Sequence, residues 1–149
     1  MTNIENLEQI ASQVRRDIVR MVHNVQSGHP GGSLGCADFF TAMFNEVMDY
    51  DSNNFSMDGI NEDIFILSNG HISPVLYSVL ARSGQIPIDE LSTFRLLNSR
   101  LQGHPAAKEG LPGVRVSTGS LGQGLSVANG IGLAKKMNGD ESKVYCLMG

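Results

Sequence analysis

The stretch Asp63-Ile64-Phe65-Ile66-Leu67-Ser68 constrains this chain more than any other, because its apolar residues run continuously instead of alternating. A strand that is apolar on both faces must be covered on both sides, which is the situation of a parallel strand between two layers of helices. It leads straight into Asn69-Gly70-His71. Ser73-Pro74 then predicts a helix start, with proline at the first helical position and Leu76, Val79 and Leu80 carried on to Gly84. A second apolar run, Lys143-Val144-Tyr145-Cys146-Leu147-Met148-Gly149, predicts another buried strand that stops on a glycine. Strand, glycine loop, helix and strand again predict an α/β fold, a three-layer parallel sheet with flanking helices, whose loops gather at the carboxyl ends of the strands.

The remaining segments supply the helices. Thr2-Asn3-Ile4-Glu5 has the spacing of a capping box, and Leu7, Ile10, Ala11, Val14, Ile18, Met21, Val22 and Val25 follow at helical intervals. After the glycine cluster GHPGGS, a second helix is expected from near Ser33, burying Cys36, Phe39, Phe40, Met43, Phe44 and Val47. DSNNFSMDGINED reads as a loop, Asp89 to Asn98 as a short helix, and Arg100 to Ser117 as mostly loop. Ser120 to Met137 reads as a helix with Leu121, Leu125, Ala128, Ile131 and Met137 on its apolar faces, Lys135 and Lys136 in its last turn and Gly139 as its stop. Gly122, Gly124, Gly130 and Gly132 each cost about 1 kcal/mol there relative to alanine. Close approach to another backbone or subunit is the plainest reason to carry them.

Composition narrows the function classes. The 149 residues suffice for one domain, and 17% charged with 41% hydrophobic residues describes a globular chain. A net charge of -4 leaves no basic footprint for nucleic acid. No apolar run approaches the roughly 20 residues that span a bilayer, and MTNIENLEQI lacks the basic-then-apolar order of a signal peptide, so a cytoplasmic location is expected. Cys36 and Cys146 are far apart and outside any CxxC pair, and are read as two buried thiols.

Three of the four histidines sit in glycine-flanked loops: Gly28-His29-Pro30-Gly31, Gly70-His71 and Gly103-His104-Pro105. Glycine before histidine lets backbone or ligand come close to the ring. Any one of them alone reads as an ordinary turn histidine; the recurrence points to a shared site. A zinc site is one use for imidazoles, but HxH and HExxH spacings are missing and no acidic residue stands close in sequence. A site for a hydroxylated or phosphorylated substrate, with histidines donating hydrogen bonds and moving protons, is the other. His23, on the first helix, reads as structural or solvent-facing. Ser117-Thr118-Gly119-Ser120-Leu121-Gly122-Gln123-Gly124 opens a helix with unpaired amides, which suits an anion such as a diphosphate, and also suits an ordinary capped helix. It is neither a Walker A loop nor a dinucleotide fingerprint.

Taken together, GHPGGSLG at 28–35, LSNGH at 67–71, SRLQGHP at 99–105 and STGSLGQGLS at 117–126 resemble the N-terminal, thiamine diphosphate-binding region of transketolase, from about residue 10 to the last residue. The wording SRLQGHP with TGSLGQGLS is similar to split transketolases, whose two halves are separate chains. The resemblance implies an enzyme of carbohydrate metabolism that moves a two-carbon ketol unit from a ketose phosphate to an aldose phosphate. His29, His71 and His104 match catalytic histidines at the thiazolium end of the cofactor: His71 is implied to contact the cofactor, and His29 and His104 the donor sugar's hydroxyls. Gly119, Ser120 and Leu121 match the segment whose backbone touches the cofactor, with Ser120 in place of the proline of long single-chain enzymes. Asn69 and Ile72 sit at variable points of the family.

The family's metal-binding loop begins at the position of Gly149, so residues 1–149 are expected to be a partial diphosphate-binding domain with no metal ligand of its own. The Mg2+ or Ca2+ ligands, the remaining strands and the pyrimidine-binding domain would lie elsewhere. The resemblance also implies a C-terminal subunit or domain as partner, in a homodimer or heterotetramer, and an isolated chain that is inactive. Two alternatives stay open: another thiamine diphosphate-dependent ketol transferase or synthase, and a non-catalytic interaction module that docks through its glycine-lined helix. A zinc-histidine hydrolase is more distant.

Overall fold

The computed structural model describes residues 3–149. Helix α1, Asn3–Val25, packs Ala11, Val14, Ile18 and Met21 inward, as its periodicity predicts. Thr2 of the expected capping box lies outside the described residues. Strand β1, Ile64–Leu67, is buried throughout, and a single 3-10 turn, Gly70–Ile72, joins it to helix α4, Ser73–Arg82. Strand β2, Val144–Leu147, pairs parallel with β1 in the register Ile64 to Val144 through Leu67 to Leu147.

The expected three layers are present around a narrow sheet, which has two strands among the described residues. Phe65, Leu67, Tyr145 and Leu147 face the larger core built from α1, α4 and the helices before β1, while Ile64, Ile66, Val144 and Cys146 face Ala128 and Ile131 of helix α5, Gln123–Met137. Alternate side chains of a strand point to opposite faces, so a continuous apolar run serves both layers at once. Phe65 also meets Phe40 and Phe44 edge-on, with ring centroids 5.1 and 5.4 Å apart.

Several expectations are corrected. The second helical segment begins at Pro30, inside GHPGGS, because proline at the first helical position is pre-set for a helix and needs no N–H partner. It runs as α2, Pro30–Gly35, and α3, Ala37–Ala42, then widens to a π turn at Met43–Val47. Phe39 and Val47 are exposed, since the core takes their neighbours Phe40, Met43 and Phe44 and leaves these two outside it. The helix expected over 89–98 is a 3-10 turn, Ile88–Thr93, ended by left-handed backbone at Arg95 and Asn98. Helix α5 starts only at Gln123, since Gly122 is left-handed, and Leu121, Leu125 and Met137 are exposed. Strand β2, with Cys146, is half-buried against the full burial expected, because among the described residues it has a neighbour on one edge only; Cys36, at the junction of α2 and α3, is also half-buried, at the margin of the larger core.

Two polar contacts fix the layers. Asp17 of α1, buried, accepts both ends of the Arg82 guanidinium at 2.8 and 2.7 Å and the Ser78 hydroxyl at 2.9 Å, tying α1 to α4. Lys135 of α5, 7% exposed, donates to the carbonyls of Gly59 and Glu62, to Asp140 and to Ser142, joining the loop before β1 to the turn before β2. No helix among the described residues is long and apolar enough to cross a membrane.

Candidate functional site

His29 caps the start of α2, and His71 lies in the 3-10 turn after β1. Their rings meet edge to face, with centroids 5.1 Å apart. The contact follows from small residues. Ser33, fully buried, donates to the His29 carbonyl at 3.1 Å and lies 3.4 Å from the Ile72 carbonyl. Gly32 is packed so tightly that a Cβ there would stand 2.7 Å from the Ile72 side chain. GHPGGS therefore brings His29 onto the turn that carries His71.

His104 arrives from the other side. Helix α4 holds its loop: Ser73 donates to the Gly103 carbonyl at 2.8 Å and Tyr77 to the Gln102 carbonyl at 2.7 Å. The next residues pair with the loop before α5, where the Thr118 amide donates to the Pro105 carbonyl and the Ala107 amide to Ser117 Oγ. Gly119, left-handed at φ 143°, lies against the His104 ring, and a Cβ there would stand 2.9 Å from its Cδ2. Partial shielding of the otherwise exposed ring from water lowers the His104 pKa, and Arg95, His29 and His71 push it further the same way. The neutral imidazole is thus favoured, keeping one nitrogen to donate and one to accept.

His29, His71, His104 and Gly119 converge at the carboxyl end of β1; Ser120 and Leu121 occupy the exposed turn between Gly119 and α5. His23 faces outward on α1, as expected. Among the described residues no group of three or more His, Cys, Asp or Glu side chains could hold a metal ion.

The same end of β1 holds buried polar atoms without partners: Ser68 Oγ, Asn69 Oδ1 and Thr118 Oγ1. Backbone crowds around them. A Cβ on Gly70 would stand 2.8 Å from the Thr118 carbonyl, one on Gly124 2.6 Å from Ser68 Oγ, and one on Gly149 3.0 Å from the Asn69 amide. Buried hydroxyls and amides are costly unless they find a partner. Two hydroxyls beside glycine amides and three imidazoles supply donors that fit a diphosphate at the strand end, whereas Asn69 Oδ1, which only accepts, is suited to a donor on the same ligand. Ser68 and Thr118 lie inside the motifs LSNGH and STGSLGQGLS, but neither is marked within its motif as a site residue; their burial beside the glycines of other segments is what singles them out.

Comparison with known proteins gives a consistent result. The family described as "Transketolase, thiamine diphosphate binding domain" matches residues 7–144. Relatives include a transketolase of Buchnera aphidicola, 42% identical over 130 residues, 87% of this chain and 19% of its own length. An apulose-4-phosphate transketolase subunit of Actinobacillus succinogenes is 40% identical over 148 residues, covering 97% of this chain and 52% of its own length. Among solved structures, a transketolase of Campylobacter jejuni superposes with a TM-score of 0.88 at 33% identity, over 99% of this chain and 24% of that one. The chain therefore spans about half the length of the Actinobacillus relative and a fifth of the long transketolase.

Proposed function

Because the chain belongs to the family of transketolase thiamine diphosphate-binding domains, we propose that it forms part of the cofactor and donor-sugar site of a transketolase. The activity is transfer of a two-carbon ketol unit from a ketose phosphate to an aldose phosphate. The observation that carries this reading is the convergence of His29, His71, His104 and Gly119 on the unpartnered Ser68, Asn69 and Thr118 at the end of β1. Bound there, thiamine diphosphate supplies the electron sink that lets a ketose carbon–carbon bond break. Gly119, with Ser120 and Leu121, would offer backbone to the cofactor, and His71 would contact it at its reactive end. His29 and His104 hold the donor sugar's hydroxyls, and the neutral form of His104 can take a proton from one of them.

Residues 1–149 are in this reading part of a larger diphosphate-binding domain. The Mg2+ or Ca2+ on the diphosphate takes its ligands from outside these residues, and a C-terminal transketolase subunit or domain completes the site, within a dimer or heterotetramer in the cytoplasm. The match to one subunit of an apulose-4-phosphate transketolase supports a separate partner chain.

The test is ketol transfer from xylulose 5-phosphate to ribose 5-phosphate by the complete protein with its C-terminal partner, followed by formation of the seven-carbon product. Transfer that requires thiamine diphosphate and a divalent cation is expected. Condensation with pyruvate in place of a ketose phosphate would reassign the chain to a synthase. Turnover by residues 1–149 with no other polypeptide would refute the shared site.

A further inference from the structure

We propose that Arg95 is a positioning residue: its guanidinium joins the loop that carries His29 to the loop that carries His104 and so fixes one imidazole relative to the other. The proposal rests on the reading of these two histidines as contacts to the donor sugar. Arg95 has left-handed backbone at φ 58°, a conformation that costs a side-chain-bearing residue roughly 1–2 kcal/mol. That conformation is held by its amide donating to the Leu101 carbonyl at 2.9 Å, and it turns the side chain back across both loops.

On one side Nη1 donates to Ser27 Oγ at 2.8 Å, two residues before His29. On the other the guanidinium lies flat against Gly103, the residue before His104, so closely that a Cβ there would stand 2.7 Å from Cζ. The ring of Phe94 lies beneath it at 5.5 Å, and the same ring approaches Gly28, where a Cβ would stand 3.6 Å away. Its Nε is buried without a partner, so the group is held by its contacts to the two loops and not by a carboxylate. The groups that act on His104 are Arg95, His29 and His71, all cationic when charged, and Arg95 alone among them carries its charge at every working pH. The clamp thus has two parts, a planar fork that sets distance and a fixed charge that favours the neutral imidazole.

Arg95→Met, Arg95→Lys and Ser27→Ala in the complete protein separate them. The first readout is the pH profile of His104 acylation by diethyl pyrocarbonate, followed by peptide mass spectrometry, which needs no activity. Arg95→Met is expected to move its midpoint upward by roughly half a pH unit, the scale of one nearby charge in a watery setting. Arg95→Lys should leave the midpoint in place. The second readout is kinetics: Arg95→Met and Arg95→Lys should both lower kcat/KM for the ketose by roughly 10- to 100-fold, the cost of a displacement near 1 Å. Ser27→Ala, which removes only the bond to the His29 loop, should raise the ketose KM with an unchanged midpoint. Unchanged midpoint and kinetics in folded Arg95→Met would overturn the proposal. If that variant does not fold, unchanged kinetics in Arg95→Lys and Ser27→Ala would overturn it. A wild-type protein without ketol transfer would refute the functional reading, while the acylation profile would still decide the electrostatic half.

Discussion

Gly124 and Gly130 lie in the same helix, and the same substitution should act on them with opposite signs. At Gly130 nothing stands within 4 Å of an added Cβ. Gly130→Ala therefore realises the difference in helix propensity and stabilises by about 1 kcal/mol. At Gly124 the added Cβ would lie 2.5 Å from Ser68 Cβ and 2.7 Å from Ser68 Cα, about 1 Å inside ordinary contact with the end of a buried strand. Neither atom is the far end of a flexible side chain, so α5 itself must move. Overpacking of this kind costs about 3 kcal/mol at the upper end of its range, leaving a net loss of about 2 kcal/mol after the propensity gain. The two variants should thus differ by about 3 kcal/mol. With a urea slope of about 2 kcal/mol/M, their unfolding midpoints should lie about 1.5 M apart, with wild type between them, when ellipticity at 222 nm is followed. A Gly124→Ala protein as stable as Gly130→Ala would show that α5 does not depend on close approach to β1.

The buried Asp17 carboxylate is paired with Arg82, so Asp17→Ala leaves a half-buried guanidinium uncompensated and should cost about 3 kcal/mol, read as a melting temperature lower by roughly 10 °C. Lys135→Met removes four hydrogen bonds and should lower the melting temperature clearly, whereas Lys136→Met, on the exposed side of the same turn, should leave it within about 2 °C. His104 has a folded pKa below its unfolded value, so the unfolded chain binds the proton more readily; stability should fall as pH drops from about 6.5 through the folded value. His104→Gln should flatten that part of the stability profile, measured by urea unfolding between pH 7.5 and 5.

Whether a feature is legible in the sequence depends on whether its cause is local. Ile64-Phe65-Ile66-Leu67 announces a strand covered on both faces, and the structure covers it with the α1 and α4 core on one side and α5 on the other. Pro74 marks a helix start through its own backbone restriction, whereas Pro30, with the same logic, is masked by a run of glycines. The segment after Thr93 escapes such reading because its left-handed backbone at Arg95 and Asn98 goes with contacts from further along the chain: the Arg95 amide donates to the Leu101 carbonyl, and the Thr93 hydroxyl pairs with that of Ser99. The apolar residues of α5 are equally visible, but Leu133 and Met137, 61% and 79% exposed, have no cover among the described residues.

The sequence by itself determined the alternation of strands and helices, the glycine positions and the family, since apolar period, proline and glycine act on the backbone within a few residues of themselves. Only the tertiary structure decided that His29 meets His71, that His104 rests on Gly119, and that Arg95 spans the loops between them. Those meetings join residues tens of positions apart, and they exist because buried side chains such as Ser33, Ser73 and Tyr77 hold the loops in place after the layers have packed.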